Sequence, residues 1–317
     1  MPRITEYINQ AQGKTLFSLE IIPPVKGESI QALMQNIEPL MEFKPPFIDV
    51  TYHREEYMEK VLDNQIVKIP VRKRPGTVGI CSTLMSRFGV DAVPHVICGG
   101  FTKEETEDFL FDLHYLGIQN ILVLRGDPIK GSAAFSPEKG GHAFAAELLG
   151  QVVNMNKGQL LHEETEAFPT NFCIGVAGYP EKHFEAPNGS LDFEYLRQKV
   201  ALGADYIVTQ MFFDNKKYFD FVNRCRAEGI NIPIIPGLKP IATRKQLTVL
   251  PRIFHLDIPE DLTTAVLDCK TDKEVKQVGI EWSIQQCREL IAFGAPVLHF
   301  YTMGKADNVK AVAKAIF

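Results

Sequence analysis

The chain has 317 residues, 45% hydrophobic and 23% charged, which is the balance of an ordinary soluble globule. Its net charge of −5, with no long Lys/Arg run, speaks against a nucleic-acid or anionic-membrane partner. Six scattered cysteines with no C-x-x-C pair exclude a zinc ribbon or a thioredoxin-like site and fit a reducing compartment.

Residues 1–15 are polar and lack the apolar core of a secretory signal. No apolar run approaches the ~20 residues that span a bilayer, so the chain is expected in the cytoplasm. Eight short apolar runs follow along the chain, at residues 16–22, 47–52, 92–98, 120–124, 172–177, 206–211, 232–235 and 297–301. They are rich in Ile, Val and Phe with little polar alternation, as buried parallel strands are. Thr102, with Glu105 three residues on, opens a helix over 103–115. Further helices are predicted over 191–202, 216–228 and 272–293, and Pro259 joins two helices rather than two domains. Leu116-Gly117-Ile118, Leu202-Gly203-Ala204, Glu228-Gly229-Ile230 and Phe293-Gly294-Ala295 each stand before a strand. Each reads as a helix stopped by a left-handed glycine, then a turn into the next strand. This grammar predicts an α/β fold: a closed (β/α)8 TIM barrel forming one domain over 1–317, with an open doubly wound sheet as the alternative.

In such a barrel the chemistry sits where the strands end. The strand ends carry Ser18-Leu19-Glu20, Asp49-Val50-Thr51-Tyr52, Pro94-His95, Arg125-Gly126-Asp127-Pro128, Gly178-Tyr179-Pro180-Glu181-Lys182-His183, Thr209-Gln210 and His299-Phe300-Tyr301-Thr302. Each has a plain structural reading as well. Glu20 inside an apolar run is a structural ion pair or a catalytic acid. His95 is a core histidine or a ligand contact. Arg125 and Asp127 pair with each other or serve a site, Tyr179 and His183 are solvated loop residues or line it, and Phe212 and Phe213 read as core. No GxGxxG follows a strand, and no Walker motif, HExxH or GxSxG elbow occurs. What remains is a barrel that binds a flat, partly charged ligand at its rim, with no metal site.

The phrases around these strand ends resemble methylenetetrahydrofolate reductases. They are Phe17-Ser18-Leu19-Glu20-Ile21-Ile22-Pro23-Pro24, Val50-Thr51-Tyr52, Val93-Pro94-His95-Val96-Ile97-Cys98 and Leu124-Arg125-Gly126-Asp127. Ala177-Gly178-Tyr179-Pro180-Glu181-Lys182-His183, Val208-Thr209-Gln210-Met211-Phe212-Phe213-Asp214, Ile234-Ile235-Pro236-Gly237 and His299-Phe300-Tyr301-Thr302 continue them in family order. The resemblance implies non-covalent FAD, NADH or NADPH as electron donor, and ping-pong reduction of 5,10-methylenetetrahydrofolate to 5-methyltetrahydrofolate in one-carbon metabolism and methionine supply. It also implies a homo-oligomer.

Carried over, Glu20 matches the general acid that opens the methylene bridge, and Asp127 matches the carboxylate beside flavin and pterin. Gln210, Gln246 and Lys305 match folate contacts, and Thr51 a nicotinamide contact. Tyr52, His95, Arg125, Gly126, Asp127, Ala145, Tyr179, His183, Ala186, Asp192 and Lys199 match FAD contacts. Lys305 stands where bacterial members often have Arg, Leu250 where some have Phe, and Gln198 where some have Arg. The regulatory domain of the long forms, which binds S-adenosylmethionine, is expected to be absent. The competing readings are another FAD barrel of the proline dehydrogenase kind and a non-catalytic folate- or flavin-binding subunit; Glu20 and Asp127 speak against the latter.

Overall fold

The computed structural model describes residues 2–62, 65–129, 132, 134–162 and 167–317. The chain opens with helix α1 (Ile4–Gln10), strand β1 (Leu16–Ile21) and α2 (Ile30–Ile37). β2 (Phe47–Val50), β3 (Glu56–Leu62), β4 (Gln65–Val71) and α3 (Val78–Phe88) follow. Strand and helix then alternate through β5 (Asp91–Ile97), α4 (Lys103–Tyr115), β6 (Asn120–Leu124), α5 (Ala145–Met155), β7 (Cys173–Gly178) and α6 (Gly189–Leu202). After β8 (Tyr206–Thr209) and α7 (Asn215–Ala227) come β9 (Ile234–Ile235) and β10 (Gly237–Leu238). The chain continues with α8 (Gln246–Phe254), α9 (Glu260–Asp268), α10 (Asp272–Phe293), β11 (Val297–Tyr301) and α11 (Asp307–Ile316).

The local signals act as read. Thr102 Oγ1 accepts from the Glu105 N–H at 3.1 Å, and Glu105 Oε2 accepts from the Thr102 N–H at 2.8 Å, a reciprocal box that starts α4. Gly117, Gly203, Gly229 and Gly294 follow α4, α6, α7 and α10 at φ of +76°, +122°, +78° and +94°. There a side chain would be strained, so the chain can turn toward the next strand only through glycine at low cost. Pro259 N-caps α9, which follows α8 as expected.

All neighbours in the main sheet are parallel, in the order β10-β11-β1-β2-β5-β6-β7-β8-β9. Its two ends, β9 and β10, are one bent strand interrupted by Pro236, which has no N–H to give a ladder. The first half pairs with β8 and the second with β11, and the Pro236 carbonyl accepts from His299 N at 3.1 Å. The ring therefore closes with eight staves. A doubly wound sheet reverses its strand order at a switch point, and none occurs here.

The core has two parts. Outward-facing strand residues such as Leu19, Ile48, Val96 and Ile207 pack under the helices. Inward-facing Phe47, Val93, Leu122, Tyr206, Ile235 and Val297 fill the barrel, with Ile4 of α1 joining them. The Ile4 N–H donates to Asn120 Oδ1 at 2.8 Å, so α1 is tied across the start of β6 and plugs the amino-terminal end of the barrel. Tyr206 lies beside Gly175, where a Cβ would come within 2.3 Å of the ring, and donates to the Ile121 carbonyl at 3.0 Å. These side chains fill the barrel interior below the rim.

Two differences from expectation are local. Strand 206–211 ends at Thr209, so Gln210 lies in the turn beyond it. The antiparallel hairpin β3–β4, outside the barrel, was not anticipated. Its strands have apolar residues on both faces, with Val61 71% and Ile66 70% exposed, so no one-sided alternation marks it. No helix of the described residues is long and apolar enough to cross a membrane.

Candidate active site at the barrel mouth

Glu20 of β1 and Asp49 of β2 are register neighbours, and His95 of β5 stands across from both. His95 Nε2 is 3.5 Å from Glu20 Oε2 and 3.6 Å from Asp49 Oδ2. These are ion-pair rather than hydrogen-bond distances. Burial pushes the Glu20 carboxyl up to about 7, against the pull of His95 and with added repulsion from Asp49. Burial opposes charge on His95, but the two carboxylates outweigh it and its pKa is raised. From β11, His299 Nδ1 lies 2.8 Å from Ser18 Oγ, and burial lowers its pKa. Tyr301 donates to the Thr209 carbonyl at 2.7 Å and bounds the same chamber.

The next sector follows β6. Gly126 holds φ of +85°, and a Cβ there would sit 3.3 Å from Ile97 Cδ1, so the chain passes close over β5. Arg125 does not pair with Asp127. Its Nη1 binds Glu185 Oε2, and its guanidinium lies 5.0 Å from the Phe135 ring centroid. Asp127 is exposed.

After β7, Tyr179 and His183 meet edge to face at 4.7 Å. The His183 N–H donates to Asp192 Oδ2 at 3.1 Å, and Lys182 Nζ donates to the carbonyls of His183 and Ala186, at 3.0 and 2.6 Å. The loop is thereby folded onto α6. Lys199 of α6 turns inward and donates to the Ala177 carbonyl at 2.7 Å; desolvation pushes its amine down to about 8. It lines a cleft of about 390 Å³ with Tyr179, Lys182, Asp192, Lys217 and Arg224. Lys199 is therefore no solvated helix lysine.

Beyond β2, Thr51 Oγ1 donates to the Ile21 carbonyl at 3.3 Å. The Tyr52 ring packs 5.1 Å from Phe101, with the Arg72 guanidinium 5.9 Å from its centroid. Gln210 Oε1 accepts from the Met211 N–H at 2.9 Å, and Gln246 Oε1 from the Ala242 N–H at 2.6 Å. These bonds fix which end of each amide is oxygen and leave both NH2 groups without a partner among the described residues. Ala145 opens α5, Ala186 is buried, and Lys305 is exposed after β11, its N–H donating to the Thr302 carbonyl at 3.1 Å. Leu250 is buried against Ile241 and Leu256, Gln198 is exposed, and Phe212 and Phe213 are core.

The structure thus brings Glu20 together with His95, and Tyr179, Asp192 and Lys199 around one cleft. Asp49 and His299 were read among the strand-end groups but given no role, and Glu185 was not named from the sequence. Asp49 carried the same signal as Glu20, a lone carboxylate in an apolar run, whereas nothing local to Glu185 announces its partner 60 residues away.

The profile of the family described as methylenetetrahydrofolate reductase matches residues 3–316. The chain belongs to that family. It is 30% identical over 314 residues to the 5,10-methylenetetrahydrofolate reductase of Salmonella typhimurium, covering 99% of this chain and 94% of that one. It is 32% identical over 302 residues to methylenetetrahydrofolate reductase (NADH) 1 of Arabidopsis thaliana, covering 92% of this chain and 46% of the relative. The chain therefore spans about half the length of the plant relative. Among solved structures, a Clostridium thermocellum protein that binds two copies of 5-methyl-5,6,7,8-tetrahydrofolic acid aligns with a TM-score of 0.58 at 14% identity, over 99% of this chain and 97% of that one. At that identity the likeness speaks for the barrel alone. In this member of the methylenetetrahydrofolate reductase family, Glu20, Asp49 and His95 stand together at the strand ends, and Lys199 lines the cleft after β7.

Proposed function

We propose that this chain reduces 5,10-methylenetetrahydrofolate to 5-methyltetrahydrofolate at the barrel mouth, with FAD as bound cofactor and NADH or NADPH as donor, the two substrates using one site in turn. The observation that carries the reading is Glu20, placed 3.5 Å from His95 at the end of the first strand, with its carboxyl pushed up to about 7 by burial, in a chain matched to the family over nearly its whole length.

The residues present fit FAD. Lys199 is an inward-facing amine bonded to a backbone carbonyl rather than a carboxylate, which suits a diphosphate. The close backbone pass at Gly126 gives a flat wall. Tyr52, His95, Arg125, Gly126, Asp127, Ala145, Tyr179, His183, Ala186, Asp192 and Lys199 would hold the cofactor, and Thr51 the nicotinamide. When bound, FAD takes up a hydride from the nicotinamide and supplies it to the folate.

The protein's own groups supply the proton and the field. Glu20 gives its proton to the nitrogen of the methylene bridge, so the ring opens to a cation able to accept hydride. Asp127 places a negative charge beside that cation. The free NH2 groups of Gln210 and Gln246 donate to acceptors on the pterin edge, while their oxygens stay fixed on the backbone. Lys305, exposed beyond β11, reaches the glutamate tail of the folate.

The test is folate-dependent oxidation of NADH or NADPH by the purified protein with added FAD, with the product identified by chromatography. Formation of 5-methyltetrahydrofolate supports the reading. Nicotinamide oxidation that ignores the folate, or none at all, contradicts it.

A further inference from the structure

Asp49 lies inside the barrel with its side chain 1% exposed, and neither carboxylate oxygen has a hydrogen-bond partner among the described residues. An isolated charge in that position is costly, so a nearby cation must compensate it. His95 Nε2 stands 3.6 Å from Asp49 and 3.5 Å from Glu20, so one ring nitrogen faces two carboxylates. A nitrogen facing two acceptors carries a proton.

Among the described residues, the other titratable groups facing this set come from four elements. His299 and Tyr301 lie on β11, Tyr206 on β8, Cys81 on α3 and His53 in the loop after β2. Burial holds both tyrosines and the thiol protonated and neutral, and it lowers the pKa of both histidines. His53 also faces Arg74 and Asp127. None of the five supplies a positive charge at neutral pH, so His95 is the cation of the set.

One imidazolium neutralises one carboxylate. Two carboxylates therefore share it, and Glu20, 15% exposed against 1% for Asp49, is the one of the two that a ligand at the strand ends can reach. We propose that Asp49 is a positioning residue whose buried negative charge, acting through His95, makes the Glu20–His95 pair keep its second proton up to about neutral pH. Glu20 then enters the reaction as a carboxylic acid while His95 remains an imidazolium. Without Asp49, His95 pairs with Glu20, and Glu20 becomes an ion-paired carboxylate with no proton to give. The inference rests on the reductase reading for its kinetic consequence alone.

The test has two arms. In the first, infrared difference spectroscopy of the folate-free protein follows the protonated-carboxyl stretch with pH, assigned by its loss in Glu20→Gln. Wild type should show the band at pH 6 and lose it near pH 7. In Asp49→Asn, an isosteric change, the midpoint should fall by at least about one pH unit. Asp49→Ser, which removes the same charge with a smaller side chain, should shift it the same way. An absent band in wild type at pH 6 overturns the proposal without any variant, and an unmoved midpoint in either folded variant also overturns it. In the second arm, the folate step of Asp49→Asn at pH 7 slows at least about fivefold and recovers at lower pH. A folate step with wild-type pH dependence contradicts the proposal. If wild type shows no folate step, the reductase reading fails, and the infrared arm still decides the role of Asp49.

Discussion

Replacing Glu20 with Gln isolates the proton from every other feature of the site. The amide is nearly isosteric, so cofactor binding and reduction by the nicotinamide should survive. The structure sets how much acid is lost. A carboxyl at its ordinary value of 4.5 would be protonated in about one molecule in 300 at pH 7, whereas one at about 7 is protonated in about half. Burial therefore raises the acid form by a factor of about 150, and an amide has no acid form at all. General acid catalysis contributes about 10²–10⁴-fold, so the folate step should slow by at least about 100-fold. In wild type the same step should be flat below pH 7 and fall about tenfold per pH unit above it, because one proton is required. In Glu20→Gln this limb should vanish. Stopped-flow absorbance of the two half-reactions, measured separately from pH 5.5 to 9, reads both effects. A folate step unchanged by the substitution, or a wild-type profile with no limb near 7, would refute the assignment of Glu20.

Three further outcomes follow from the same geometry. Asp127→Asn should raise the midpoint potential of the bound flavin by tens of millivolts and weaken folate binding roughly ten- to a hundredfold; a spectroelectrochemical midpoint that stays or falls argues against Asp127 beside the ring. Lys199→Ala should weaken FAD binding roughly ten- to a hundredfold, less so as salt rises, because a charged hydrogen bond contributes about 1.5–3 kcal/mol; titration of the apoprotein at several salt concentrations reads this, and wild-type affinity would free Lys199 from the diphosphate. The raised pKa of Glu20 also links to stability. Its contribution is complete below 4.5 and is lost as pH rises through about 7, so Glu20→Gln should gain on wild type across that window, by up to about 3 kcal/mol, and hold the gain above it. Denaturant melts of the apoproteins at pH 4.5 and 8 check the sign, and a gain that shrinks with pH contradicts a buried, reluctant carboxylate.

Much of the barrel was legible because its signals are local. The Thr102–Glu105 box and the glycines at 117, 203, 229 and 294 act within a few residues of themselves, and the apolar strands announce burial on both faces. The closure at Pro236 was not legible, since it depends on which strand each half of a bent segment meets. Nor was the β3–β4 hairpin, whose exposed faces carry no one-sided pattern. In the site, strand ends marked Glu20, Asp49 and His95, but the approach of the three depends on barrel stagger. The pairing of Arg125 with Glu185 instead of Asp127 depends on how the loop after β7 folds onto α6.

The most direct measurement is an anaerobic titration of the FAD-loaded protein watched through the flavin absorbance. NADH or NADPH should bleach the yellow colour, and stoichiometric 5,10-methylenetetrahydrofolate should restore it, leaving 5-methyltetrahydrofolate. A protein that takes up no flavin, or whose bleached flavin stays bleached with the folate present, would contradict it.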